Sequence, residues 1–153
     1  MSLETDARLL GGIKIFSLLE HEAIKMLAFQ AETIEHQEGD ILFDFGDKSI
    51  GGLVVKSGKV LIESVNAEPD QDLKTNKIVG QGALIGQLAL ITDVTHRAQA
   101  RATEITAILQ IQRNSFQRIL REYPDCAAKI RSEIASDLLQ FTKALQSSRK
   151  LAN

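Results

Sequence analysis

The sequence predicts a mainly β protein with flanking helices: an antiparallel, jelly-roll-like β-roll with an N-terminal helix and a long C-terminal helix. Three observations carry that expectation. Apolar residues recur at helical spacing near both ends, the period falls to two in short β-branched runs between them, and glycine pairs punctuate those runs.

The first helix is expected from Ser17 to about Gln30, where Ile24, Leu27, Ala28 and Ala31 share a face and Ser17 with Glu20 fits a capping box. Strands are expected at 33–36, 41–43, 53–56, 59–65, 77–79, 97–101 and 106–111. Gly39-Asp40, Gly46-Asp47 and Ser57-Gly58 separate them, because glycine turns the chain with no Cβ to clash. Asn66 to Thr75, with Pro69 and three acidic residues, reads as an exposed hairpin loop. A short helix over 115–122 ends where Pro124 restrains Tyr123, and Pro124 then opens the last helix. Along that helix Ala127, Ile130, Ile134, Leu138, Phe141 and Leu145 form an apolar stripe. The stripe can pack on its own domain or meet its twin across a dimer axis.

A chain of 153 residues with 44% hydrophobic content suits one domain over 1–153, with the roll at about 32–112 and the C-terminal helices at about 115–150. The single cysteine, Cys126, cannot form an internal bridge and reads as a buried structural thiol. With no charged-then-apolar leader and no long apolar run, the expectation is a soluble cytoplasmic protein without membrane contact. Residues 1–76 carry 14 acidic against 7 basic groups, and residues 77–153 carry 6 against 11, so the carboxyl half is electropositive. One Tyr, no Trp and no lysine or arginine run give no platform for stacking nucleic-acid bases. No Ser, His and Asp set forms a recognisable motif, and His21, His36 and His96 lack metal-ligand spacing. Neither catalytic residues nor a metal or cofactor are expected.

The order of helix, glycine-punctuated roll and long helix is joined by specific runs. These are Val55-Lys56-Ser57-Gly58-Lys59-Val60, Gly80-Gln81-Gly82-Ala83-Leu84-Ile85-Gly86 and Gln87-Leu88-Ala89-Leu90. Together they resemble the cyclic nucleotide-binding domain family, which includes the catabolite activator protein and kinase regulatory subunits. The resemblance covers nearly the whole chain and reaches no helix-turn-helix, so direct DNA binding is not expected.

The resemblance implies that 86–102 is a phosphate-binding cassette. Gly86 would admit the ligand, and the amides of Leu88 and Ala89 would hold phosphate oxygens at a helix start. In the family a glutamate takes the ribose 2′-hydroxyl and an arginine neutralises the phosphate. Here Gln87 replaces the glutamate, which removes the charge that strengthens such a bond. His96 and Arg97 compete for the arginine's place. Strand parity favours His96, which shares the inward phase of Ala98, Ala100 and Ala102, whereas Arg97 would need a bulge to reach the interior. A histidine there carries charge only when protonated, so anion affinity is expected to rise on acidification.

The family's terminal helix caps the base, which places Asp137, Phe141 and Thr142 near the cap, with Phe141 able to stack on a purine and Thr142 to meet a base edge. Leu61 or Ile62 would line the opposite wall. The implied function is a regulatory module that binds a cyclic nucleotide, cyclic AMP or cyclic GMP, and signals through a C-terminal helix that also forms a homodimer. The competing reading, prompted by Gln87 and His96, is a degenerate fold acting as a ligand-independent dimerisation or adaptor domain.

Overall fold

Alternation of side chains along β-strands gives a strand two faces, and here both faces of one sheet are used. The computed structural model describes residues 2–65 and 74–151, with side chains for 2–64 and 76–140. Among them are helices α1 (Leu3–Gly11), α2 (His21–Gln30), α3 (Arg113–Glu122) and α4 (Pro124–Leu151). The strands are β1 (Glu32–His36), β2 (Ile41–Phe43), β3 (Gly51–Ser57), β4 (Val60–Val65), β5 (Lys74–Val79), β6 (Leu84–Ile85), β7 (Ala98–Ala102) and β8 (Thr106–Gln112). They form two antiparallel four-stranded sheets, ordered β1-β8-β3-β6 and β2-β7-β4-β5. This is the β-roll the sequence predicts.

The central strands β3 and β8 separate two cores. Val54, Leu109 and Ile111 face the helices, where they meet Leu10, Phe16, Leu27, Phe116 and Ile130. Val55 and Ile108 face into the roll, with Phe43, Val60, Ile85 and Ala100. In the helical core Phe16 and Phe116 meet edge to face at 5.8 Å between centroids, an arrangement that the ring quadrupoles favour. Gly58 turns β3 into β4 at φ +91, and a Cβ there would lie 2.6 Å from the Ile105 carbonyl oxygen, so only glycine fits.

Several expectations are corrected. The Ser17–Glu20 capping box does not form: Phe16–Leu18 is a 3-10 turn, the Ser17 hydroxyl donates to the Lys14 carbonyl, and α2 starts at His21. Burial of Phe16 and Leu19 under the helices holds that turn in place of an earlier helix start. The additional helix α1 packs on α2 through Ala7 and Leu10, and the two-residue β6 pairs with β3. The strand expected over 77–79 begins at Lys74, opposite Val65, while residues 66–73 of the expected hairpin loop lie outside the described residues. Of the α4 stripe, Ala127, Ile130 and Ile134 are buried, whereas Leu138 is 51% exposed. The Phe141 and Leu145 side chains lie outside the described residues. Cys126 is buried and free.

One ion pair ties α1 to the roll. Lys56 of β3 and Asp6 of α1 are 2.9 Å apart with side chains only 8% and 14% exposed. Removing one member leaves an uncompensated buried charge, whereas removing both does not. Lys56→Met is therefore expected to cost about 3 kcal/mol, and Lys56→Met with Asp6→Leu to recover most of that loss. Urea midpoints across the double-mutant cycle check the coupling, and two additive single losses would refute it.

Candidate functional site

β6 ends at Ile85, and the chain turns at Gly86 with φ +84. The positive φ is what favours glycine at Gly86, since a Cβ there would meet only ordinary contacts. A 3-10 turn, Leu88–Leu90, follows with Gln87 as its cap. The Ala89 N–H already donates to the Gly86 carbonyl at 3.0 Å, and the Leu90 N–H to that of Gln87 at 3.1 Å. Among the described residues the N–H groups of Gln87 and Leu88 have no acceptor, so the available donors sit one residue earlier than the Leu88 and Ala89 pair of the sequence expectation. Side chains at Leu88, Ala89 and Leu90 anchor the turn in or against the helical core.

The Gln87 carboxamide does not hang free. Its Nε2 donates to Asp137 Oδ2 of α4 at 3.2 Å, across 50 residues of sequence. Glu133, one turn earlier on α4, pairs with Lys14 at 2.6 Å. Asp137 and Glu133 together raise the Lys14 pKa, chiefly through the Glu133 contact. The start of the cassette and the terminal helix are thus in direct polar contact.

His96 lies half-buried in the roll, with its ring stacked on Phe43 at 3.7 Å between centroids and 12° between planes. Its peptide is fixed against the β2–β3 loop: its N–H donates to the Asp47 carbonyl and its carbonyl accepts from the Gly46 N–H, each at 2.9 Å. Ala98 packs against the roll core and Ala100 is buried, so the inward parity runs through His96. Arg97 is exposed and has no ion-pair partner among the described residues. On β4, Ile62 packs on the roll core opposite Ala100, and Leu61 faces out opposite Arg101. Phe141 and Thr142 fall within α4, but their side chains lie outside the described residues.

Phe43 and His96 border a cavity of about 330 Å³ together with Leu42, Leu53 and Gln110, with Asp47 and Lys48 beside them. Gln110 was missed by sequence reasoning because β8 is buried on both faces and shows no alternation to mark its direction. Arg113 holds two loops at this end of the roll. Its guanidinium donates to the Ser49 carbonyl at 2.7 Å and to that of Thr92 at 3.3 Å. Among the described residues no group of three or more His, Cys, Asp or Glu side chains could hold a metal ion.

A sequence model described as the cyclic nucleotide-binding domain matches residues 33–123, which include both sheets and the cassette. The chain belongs to the cyclic nucleotide-binding domain family. A cyclic nucleotide-binding-like protein from Brucella abortus is 30% identical, with a TM-score of 0.65, over 76% of this chain and 97% of that one. The regulatory domain of Toxoplasma gondii PKA, co-crystallised with cAMP, shares the fold at 20% identity and a TM-score of 0.68, over 86% of this chain and 50% of that one. Lysophospholipase nte1 of Neurospora crassa is 26% identical over 113 residues, 74% of this chain. This chain spans only about 7% of that relative's length. In this family member no described helix is long and apolar enough to cross a membrane.

Burial lowers the His96 pKa from its usual 6.5, opposed by the nearby Asp47 carboxylate. Below pH 6.5 the unfolded chain takes up a proton that the folded ring resists. The His96 contribution to stability is therefore complete above that pH and is lost as the pH falls toward the depressed folded value. Urea midpoints at about pH 7.5 and about pH 5.5 are expected to fall further for the native chain than for His96→Gln. An equal fall in both proteins would refute the assignment.

Proposed function

We propose that the roll binds a cyclic nucleotide and that α4 reports its occupancy. The observation that carries this reading is the 3.2 Å hydrogen bond from Gln87 to Asp137, which places the first side chain of the cassette on the terminal helix. A ligand that engages the Gln87 carboxamide, at Oε1 or Nε2, would brace that bond or compete with it. It then has different contacts with two positions of α4, which is the requirement for shifting a population. Family membership, the two open amides after Gly86 and the inward His96 support the same site.

In this reading the phosphate lies on the Gln87 and Leu88 amides, with Gly86 leaving room and Ala89 closing the turn. His96 supplies charge once protonated, and the phosphate itself favours that protonation. Arg97 contributes from the exposed side only if its loop shifts. Ala98 leaves space beside His96, while Phe141 and Thr142 cap the base from α4. Signal output is a change in how α4 meets a partner. Because Leu138 and Leu139 are 51% and 55% exposed, we extend the proposal to a homodimer through this helix. The chain acts as a regulatory module and performs no catalysis.

The Phe43–His96 stack favours a second reading, a ligand-independent dimerisation or adaptor domain, because the two rings fill part of the roll interior. Titration with cyclic AMP and cyclic GMP separates the two readings. A ligand at about 100 times its dissociation constant stabilises the folded chain by about 2.7 kcal/mol. A thermal shift with either nucleotide is expected, and none at millimolar concentration would leave the adaptor.

Two further outcomes follow from the geometry. Cyclic AMP affinity is expected to rise as the pH falls from about 8 to about 6, and His96→Arg to bind more tightly at the upper pH with little pH dependence. Calorimetric titration checks both, and a flat native profile would remove His96 from the phosphate. Leu138→Asp is expected to convert a dimer to monomer in sedimentation, because the carboxylate would be buried at the interface. A native chain that sediments as a monomer would refute the dimer.

A further inference from the structure

We propose that Arg113 is a positioning residue for His96: it staples the ribbon that carries the imidazole to the β3–β8 wall and so sets how that ring faces the roll cavity. The staple itself stands on backbone and side-chain contacts, and its effect on ligand binding rests on the nucleotide reading above.

The ribbon continues the β2–β7 ladder beyond the ends of both strands. After the Phe43–Ala100 pair, the Gly46 N–H donates to the His96 carbonyl, the His96 N–H to the Asp47 carbonyl and the Ser49 N–H to the Val94 carbonyl, each at 2.9 Å. Lys48 and Thr95 face each other as an isolated bridge between those contacts. Two strands paired along one edge are marginal alone and fray from a free end unless something holds it.

Arg113 holds that end. Its guanidinium donates to the Ser49 carbonyl at 2.7 Å and to the Thr92 carbonyl at 3.3 Å, while its backbone N–H donates to the Ile50 carbonyl at 2.8 Å. Ser49 is buried, so loss of the donor leaves its carbonyl where water does not simply take over. The Asp93 carboxylate lies 3.8 Å away on the exposed side and adds little. One planar fork serving two carbonyls is a task for arginine, because the ammonium of lysine is a point donor.

The staple is anchored on the rigid side. Arg113 follows β8 directly, and a Cβ on Gly51 of β3 would clash with the Ile111 carbonyl and lie 2.8 Å from the Arg113 nitrogen. The arginine backbone is thus seated on the wall, and its side chain reaches the ribbon. Phe43, Lys48 and His96 border the cavity from the β2 and ribbon side, and Leu53 and Gln110 border it from the wall. The separation of ribbon from wall is therefore the width of the cavity, which Arg113 sets without lining it.

Amide exchange followed by NMR on the full chain, on Arg113→Ala and on Arg113→Lys tests the staple. In Arg113→Ala the Gly46, Ser49 and His96 amides are expected to exchange at least about tenfold faster, while the Val54 and Leu109 amides of the wall stay unchanged. Arg113→Lys, which keeps the charge and loses the fork, is expected to fall between. Cyclic AMP affinity at about pH 6 should drop about tenfold in Arg113→Ala, and much less when His96→Gln is already present, because the arginine acts through that ring. Equal acceleration at ribbon and wall amides, no acceleration at the ribbon amides, or additive losses of affinity overturns the proposal. A native chain that binds neither cyclic AMP nor cyclic GMP removes the nucleotide reading alone, and the exchange pattern then decides the staple. Should Arg113→Ala not fold, Arg113→Lys decides: exchange about threefold faster at the same ribbon amides upholds the staple, and unchanged exchange overturns it.

Discussion

The pairing of β3 with β8 is the constraint on which the rest depends. These strands form one wall with a core on each side, so neighbouring residues along them serve opposite purposes. Val54, Leu109 and Ile111 hold the helices, while Val55, Ile108 and Gln110 look into the roll. A slip of one residue in register would send every side chain to the other face, placing Gln110 among the helices. The bulge between Val55 and Ser57 and the crowded Gly58 turn fix the end of this wall. Register is therefore settled before any ligand arrives.

On that wall the functional parts are held by contacts distant in sequence. Arg113, at the start of α3, joins the Ser49 and Thr92 carbonyls and so ties the β2–β3 loop to the stretch of the cassette that follows its 3-10 turn. The His96 N–H donates to the Asp47 carbonyl, and the His96 carbonyl accepts from the Gly46 N–H, within the same region. On the other side of the cassette, Gln87 reaches Asp137, and Lys14 reaches Glu133 on the preceding turn of α4. The Gln87 contact is a single charge-assisted hydrogen bond at a part-buried position, 3.2 Å long. A bond of that strength can be exchanged for a ligand contact without unfolding its surroundings.

Much of this was legible in the chain and some was not, for identifiable reasons. The glycines at 39, 46 and 58 marked turns in the sequence, and each adopts positive φ. Small residues at 98, 100 and 102 exposed the inward phase of β7, which carried His96 with it. Helix α1 escaped notice because its apolar content is modest and its burial comes from α2 and from the Lys56 ion pair, neither of which is local. Strand β6 is too short to show a period. The orientation of Leu61 and Ile62 required the register with β7, and that of Gln110 was hidden by burial on both faces. The Phe43–His96 stack and the Gln87–Asp137 bond join residues more than 45 positions apart, beyond any local pattern.

If His96 meets the phosphate as proposed, it changes the thermodynamics as well as the strength of the anion site relative to a fixed cation. Stacking on Phe43 and burial favour the neutral ring in the empty roll, whereas a phosphate beside it would favour the charged one. Ligand binding and proton uptake are then linked, and linkage is reciprocal: acid promotes the anion to the same degree that the anion promotes protonation. An arginine at that position would remove this coupling, because its charge does not respond to pH in the physiological range. In the proposed site two inputs, anion and proton, would act on one ring, with burial biasing the ring away from charge and Asp47 biasing it toward charge. The balance of those two opposing effects would set where in pH the proposed site is receptive.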